Sequence, residues 1–200
     1  MQKVSLKEDG FRKVAKAIDN IVDLRFILKF VIIFVPLYYL HIAFRGITDP
    51  NDFYLPFLDA YLNYIKWFEA SILHTSDFIL HLFGYNSFVE GQRIEVFNGA
   101  FVRFWPSCAG LGIISFWIAF VVAHDINFKL KFYWAFMGII IIWFINSWRI
   151  AILLMSLEDQ WKTPQYIDHH DLYTIIAYGF IFLLMLLFIK TAKTHPLLKA

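Results

Sequence analysis

Apolar residues in this chain gather in long runs and do not alternate with polar ones. The run at 132–146, FYWAFMGIIIIWFIN, carries no charge. Four segments, about 26–44, 108–126, 132–155 and 172–189, join such apolarity to the roughly 20 residues a helix needs to cross a bilayer. A fifth stretch, 54–83, differs, because Asp59, Lys66, Glu69, His74, Asp77 and His81 are spread through it. An Asp or Lys at the centre of a membrane helix costs about 2.5–3.5 kcal/mol on insertion scales. The stretch therefore predicts one or two amphipathic helices lying against the bundle or the membrane surface. Over 92–105 the period changes to two: Arg93–Phe97 and Ala100–Phe104 flank Asn98-Gly99, which predicts a short β-hairpin. The pattern thus predicts an all-α polytopic membrane protein. It has four transmembrane helices, an amphipathic outer helical segment and a short outer hairpin, all in a single membrane domain over 1–200.

Composition narrows the class. Of 200 residues, 60% are apolar and 17% charged, against about 45–50% and 25% in soluble domains. A soluble globule, a disordered chain and a disulfide-stapled module are excluded. Runs rich in Phe, Ile and Leu without alternation argue against an outer-membrane barrel. The first 25 residues are charged throughout and lack the apolar core of a cleavable signal.

Charge then orients the chain. With four spans and the N-terminus inside, the inner segments hold 12 Lys and Arg, and the outer ones 5 against 11 Asp and Glu. The positive-inside bias favours both termini in the cytoplasm. The expected location is the cytoplasmic (inner) membrane, with the lipid bilayer as solvent and no nucleic-acid partner.

Three side chains capable of chemistry fall on one membrane face under this topology. Cys108, the single cysteine, opens the second span, with Pro106 and Ser107 before it and Ala109-Gly110-Leu111-Gly112 after it. The N–H groups at a helix start stabilise a thiolate, and glycines let a substrate backbone come close. Taken alone, a single cysteine is more often a small buried hydrophobe. Arg149 sits within the third span, about 6–9 Å below its outer end. An intramembrane arginine either snorkels to the interface or serves a site. Asn146, three residues earlier on the same helical face, is placed to orient it. His169 and His170 lie in Asp168-His169-His170-Asp171 at the start of the fourth span. That stretch also reads as a polar loop with Asp171 or Thr174 as a cap. Adjacent histidines do not share a helical face, so no metal site is expected, and no cofactor. The remaining histidines, His41 and His81 among them, are assigned no role.

These motifs carry a resemblance. Pro106-Ser107-Cys108-Ala109-Gly110-Leu111 resembles the cysteine motif of the exosortase/archaeosortase family, and Asn146-Ser147-Trp148-Arg149 is similar to its Asn-x-x-Arg motif. His170 with Asp171 resembles the family histidine at the start of a later helix, and the chain looks like a compact member. The resemblance implies a membrane cysteine protease or transpeptidase. Such an enzyme cleaves a C-terminal sorting signal on membrane-anchored exported proteins and transfers them to a surface acceptor. Cys108 would be the nucleophile, His170 the general acid/base and Arg149 the transition-state stabiliser, on the outer face.

Two other classes compete. A non-enzymatic membrane subunit or small transporter would line a polar path with Arg149 and the histidines, but paired intramembrane acids and broken spans are missing from the sequence. A metal-dependent intramembrane hydrolase would use His169 and His170, but no His-Glu-x-x-His pattern is present.

Overall fold

The computed structural model describes residues 24–50, 53–105, 109–162 and 169–194, with the side chains of His169, His170, Lys193 and Thr194 left aside. The chain is mostly helical, with six helices and one small sheet among the described residues. In order they are α1 (Leu24–Thr48), α2 (Pro56–Tyr61), α3 (Tyr64–Leu82), β1 (Ser87–Glu90), β2 (Arg93–Val96), β3 (Phe101–Arg103), α4 (Leu111–Ala123), α5 (Phe128–Glu158) and α6 (His169–Thr194).

Three helices, α1, α5 and α6, are long and apolar enough to cross a membrane. The segment expected as a fourth span, 108–126, contains α4 with only 13 helical residues, about 20 Å at 1.5 Å per residue. Its ends explain the shortening. Gly110 precedes the helix in the left-handed region at φ +74°. At the other end His124 turns extended, and Asn127 begins the next helix by accepting from the Lys129 N–H. Four spans are therefore not established; three long helices and one short apolar helix are.

The four apolar helices pack antiparallel in sequence. At one end Lys29 on α1 pairs with Asp125 just after α4 at 2.5 Å, while Tyr38 lies against Gly112 near the other end. An aromatic ladder joins α1 to α4, with Phe26 against Phe120 and Phe30 against Phe116. Trp117 on α4 is fully buried and donates to the Trp134 carbonyl of α5 at 3.0 Å. Gly138 makes that approach possible, since a Cβ there would run into the Trp117 indole. Trp134 in turn meets Phe188 of α6 edge-on.

The stretch expected to be amphipathic, 54–83, forms α2 and α3. Helix α3 buries Ile65, Glu69, Ile72, Leu73, Ser76, Ile79 and Leu80, a helical stripe at three- and four-residue spacing. The stripe packs on the second half of α5. There the Ser76 hydroxyl donates to the Ser147 carbonyl at 2.9 Å, and the Trp143 indole donates to Ser71 at 3.0 Å. The corner before α3 is tied by charge. Asp59 accepts from Asn63 at 2.7 Å and pairs with Lys66 at 2.6 Å. Lys66 foremost, then Asn63, holds the Asp59 carboxyl below the ordinary carboxylate range.

The expected hairpin forms, with one strand more than the sequence pattern suggested. β2 pairs antiparallel with β3 (Ile94 opposite Val102), and β1 adds to the free edge of β2 (Val89 opposite Ile94). Asn98 takes the positive φ, +57°, that the Asn-Gly turn demands. β1, Ser87-Phe88-Val89-Glu90, has no Asn-Gly turn of its own to mark it in the sequence; it joins β2 through the Gly91-Gln92 turn. It is held from below by Ser87, whose hydroxyl donates to Asp77 at 2.6 Å and whose carbonyl meets His81 Nε2 at 2.8 Å. The hairpin turn is fastened to the last turn of α5, where the Glu158 carboxylate accepts the Ala100 N–H at 2.7 Å.

A carboxylate at a helix C-terminus is disfavoured by the helix dipole, so Glu158 must gain through the turn it holds. Replacing it with Ala is expected to lower stability by about 1.5–3 kcal/mol, the range for a hydrogen bond to a charged group. Glu158→Gln should recover part of that loss, read by denaturant titration of the detergent-solubilised protein.

Candidate active site

The end of the bundle that carries the sequence motifs is built around α5. Asn146 is buried in the middle of this helix, and its carboxamide donates to the Ala109 carbonyl at 3.2 Å. Ala109 is fully buried and immediately follows Cys108 in the chain. Gly110, next in line, has a backbone conformation that L side chains rarely adopt, and a Cβ there would collide with the Asn146 amide nitrogen. The two motifs noted in the sequence are thus in physical contact, glycine against carboxamide. Asn146, expected to orient Arg149, instead directs its amide to the start of α4.

Arg149 projects three residues further along α5. Its guanidinium donates to the Thr174 hydroxyl of α6 at 3.1 Å, and it lines an apolar cavity of about 600 Å³ between α5 and α6 together with Trp148, Tyr173 and Phe180. Thr174, expected as a possible cap, is the arginine's partner. His170 stands in the first turn of α6, one turn before Thr174. Cys108 lies outside the described residues. Of the expected triad, only Arg149 has a described side chain; Asn146, on its helix, bonds to the residue after Cys108, and Thr174, the arginine's partner at 3.1 Å, stands one turn after His170. No group of three His, Cys, Asp or Glu side chains able to hold a metal occurs among the described residues.

Two further cavities flank this end. One, about 490 Å³, is lined by Tyr38, His41, Arg45, Gly110, Gly112 and Tyr178, and its His41 meets the Tyr64 hydroxyl at 2.8 Å. The other, about 560 Å³, lies among the end of α1, α3 and the β1–β2 turn, and reaches Trp105. Its wall includes Glu69, only 3% exposed. Glu69 Oε2 accepts from Gln92 at 3.1 Å, while Oε1 has no hydrogen-bond partner among the described residues. Burial pushes the Glu69 carboxyl above its ordinary value, opposed by the Gln92 hydrogen bond and by the charges of Arg45 and Lys66. The sequence held a signal for this residue: Glu69 falls on the apolar stripe Ile65–Ile72–Leu73 rather than on the polar face of α3.

A short apolar helix entered through a glycine, pinned by an intramembrane asparagine, with an arginine one turn on, defines a polytopic membrane protein with a polar site at one end of its bundle. The sequence pattern of the transmembrane exosortases matches residues 52–189, which takes in every element from α2 to most of α6. The chain belongs to the exosortase family. No curated protein and no solved structure matches it.

Two measurements follow from this geometry. Gly110→Ala should destabilise the protein by about 1 kcal/mol or more, since it adds both a strained left-handed φ and a clash. Pairing it with Asn146→Ala should recover part of the loss, which a double-mutant cycle in detergent would register. Glu69 should make stability depend on pH. The folded state keeps its proton above the ordinary value of 4.5, so stability falls as pH rises from there through the folded-state value and then levels off. Glu69→Gln should abolish that slope and raise stability at neutral pH, as measured by unfolding midpoints across a pH series.

Proposed function

We propose that this exosortase is a membrane cysteine transpeptidase. It cleaves a C-terminal sorting signal from membrane-anchored exported proteins and passes them to a surface acceptor. The single observation that carries this reading is the Asn146–Ala109 hydrogen bond. It couples the chain next to Cys108 to the helix that carries Arg149, which in turn reaches the first turns of α6, where His170 stands.

In this mechanism the Cys108 thiolate attacks the scissile carbonyl and forms a tetrahedral oxyanion. Arg149 donates to that oxygen from a largely apolar setting, where such a bond is worth more than in water. The Thr174 hydroxyl holds the guanidinium in place before substrate arrives. The C–N bond breaks as His170 gives a proton to the leaving amine, and the substrate remains as a thioester on Cys108. An acceptor nucleophile then attacks the thioester while His170 takes its proton, and the Cys108 thiolate is released. One difficult displacement at an amide becomes two easier ones.

In the proposed topology α4 and its flanks complete a fourth crossing, with both termini cytoplasmic and the site at the outer face. Its support is the excess of Lys and Arg in the inner segments and the antiparallel packing of the four apolar helices. The whole chain then acts as one membrane domain.

Because Cys108 is the single cysteine, intact-mass spectrometry of protein co-expressed with tailed candidate substrates can test the mechanism directly. A substrate fragment in hydroxylamine-labile linkage to Cys108 is expected, absent in Cys108→Ala. Arg149→Lys keeps charge but loses the planar fork, and should slow adduct formation about 10²–10³-fold. Full processing by Cys108→Ala would overturn the reading.

A further inference from the structure

We propose that the cavity at Glu69 is a specificity subsite for the protein substrate, taking a side chain with an apolar stem and a neutral hydrogen-bond donor at its tip, a carboxamide or a hydroxyl. The inference rests on the transpeptidase reading for its partner, and on the geometry of this cavity for its chemistry.

Three observations define the occupant. The first is position. The cavity of about 560 Å³ reaches both Trp105 and the Gly91-Gln92 turn, and Trp105 precedes Cys108 by three residues in the sequence.

The second is the demand made by Glu69. This carboxyl is 3% exposed, and its Oε1 lacks a partner among the described residues while Oε2 is engaged by Gln92. A buried polar atom without a partner costs about 1–3 kcal/mol, and the Gln92 hydrogen bond uses only one of the two carboxylate oxygens. A ligand that donates to Oε1 removes the cost. An incoming carboxylate brings no such donor. An incoming ammonium meets two cations that already act on Glu69, Arg45 and Lys66, although Asp49 also lines the cavity. A neutral donor satisfies the oxygen without adding charge.

The third is the lining. Ile65, Ala70, Leu73 and Trp105 supply apolar wall beside the polar Asn63, Lys66, Glu69 and Gln92. A saccharide carries hydroxyls on every side and would leave most of them unpaired here. A peptide side chain presents apolar carbons to Ile65, Leu73 and Trp105 and one polar group to Glu69, which matches the lining.

The test uses the full-length protein in lipid nanodiscs, with Cys108→Ala to stop turnover. The probes are fluorescent octapeptides of Ala and Gly fused to a membrane-length apolar helix. Each carries one Gln, Leu, Glu or Lys, stepped through all eight positions. At one position Gln should bind about tenfold more tightly than Leu, Glu or Lys, a difference of about 1.4 kcal/mol. Glu69→Leu, which extends the apolar stripe and should fold, is expected to erase that preference. Ala70→Trp fills the cavity from an exposed position and should weaken the Gln probe to the level of the others. No preference at any position, a preference for Lys or Glu, or a Gln preference that survives both substitutions would overturn the subsite. A Gln preference sensitive to Glu69→Leu, found in a protein that forms no Cys108 adduct, would sustain the subsite and remove the transpeptidase reading. An adduct without side-chain preference would do the reverse.

Discussion

The end of this bundle that carries the cysteine and Asn-x-x-Arg motifs is organised by one polar contact inside an apolar interior, the hydrogen bond from the Asn146 carboxamide to the Ala109 carbonyl. In an apolar interior an unpaired backbone carbonyl is costly, and the Ala109 carbonyl, just before α4, needs a donor. Asn146 fills that need from the neighbouring helix. Gly110 then has to be glycine twice over, for its left-handed backbone and for the space the carboxamide occupies. The short α4 thus begins where α5 allows it to begin.

The consequences spread outward from that contact. With the start of α4 fixed, Arg149, one turn along α5, faces α6 and reaches Thr174. The upper half of α5 is then left to carry α3 and the sheet, through Ser147, Trp143 and Glu158. One long helix therefore serves as the spine for both halves. Its middle organises the intramembrane polar groups and its end holds the sheet. The family assignment fits this economy, since the matched region 52–189 begins just before α2 and includes nearly all that α5 touches.

Glu69 shows a different use of burial. A carboxyl on the apolar stripe of α3 is destabilising by desolvation, and only Gln92 answers it directly. Such a residue persists when something other than stability retains it. The cavity beside it, lined by Ile65, Ala70, Leu73 and Trp105 as well as by polar side chains, gives that cost a purpose in the proposed subsite.

The sequence by itself determined the helical membrane class, the amphipathic character of 54–83, the Asn98-Gly99 hairpin and the pairing of the cysteine and Asn-x-x-Arg motifs, because each is written in local period or local chemistry. Apolar runs, a charge-dotted helix and a turn dipeptide act over a few residues and need no distant partner to be legible. Only the tertiary structure decided that 108–126 holds a 13-residue helix, that Asn146 serves Ala109, that Thr174 is the partner of Arg149, and that Glu69 faces a cavity. Those outcomes turn on contacts between residues far apart in the chain. Gly110 is an unremarkable glycine until Asn146 stands against it, and Glu69 is one more surface charge until Ile72 and Leu73 roll its face of α3 onto α5. A side chain's period fixes which way it points on its own helix; what it meets there is set by the packing of the others.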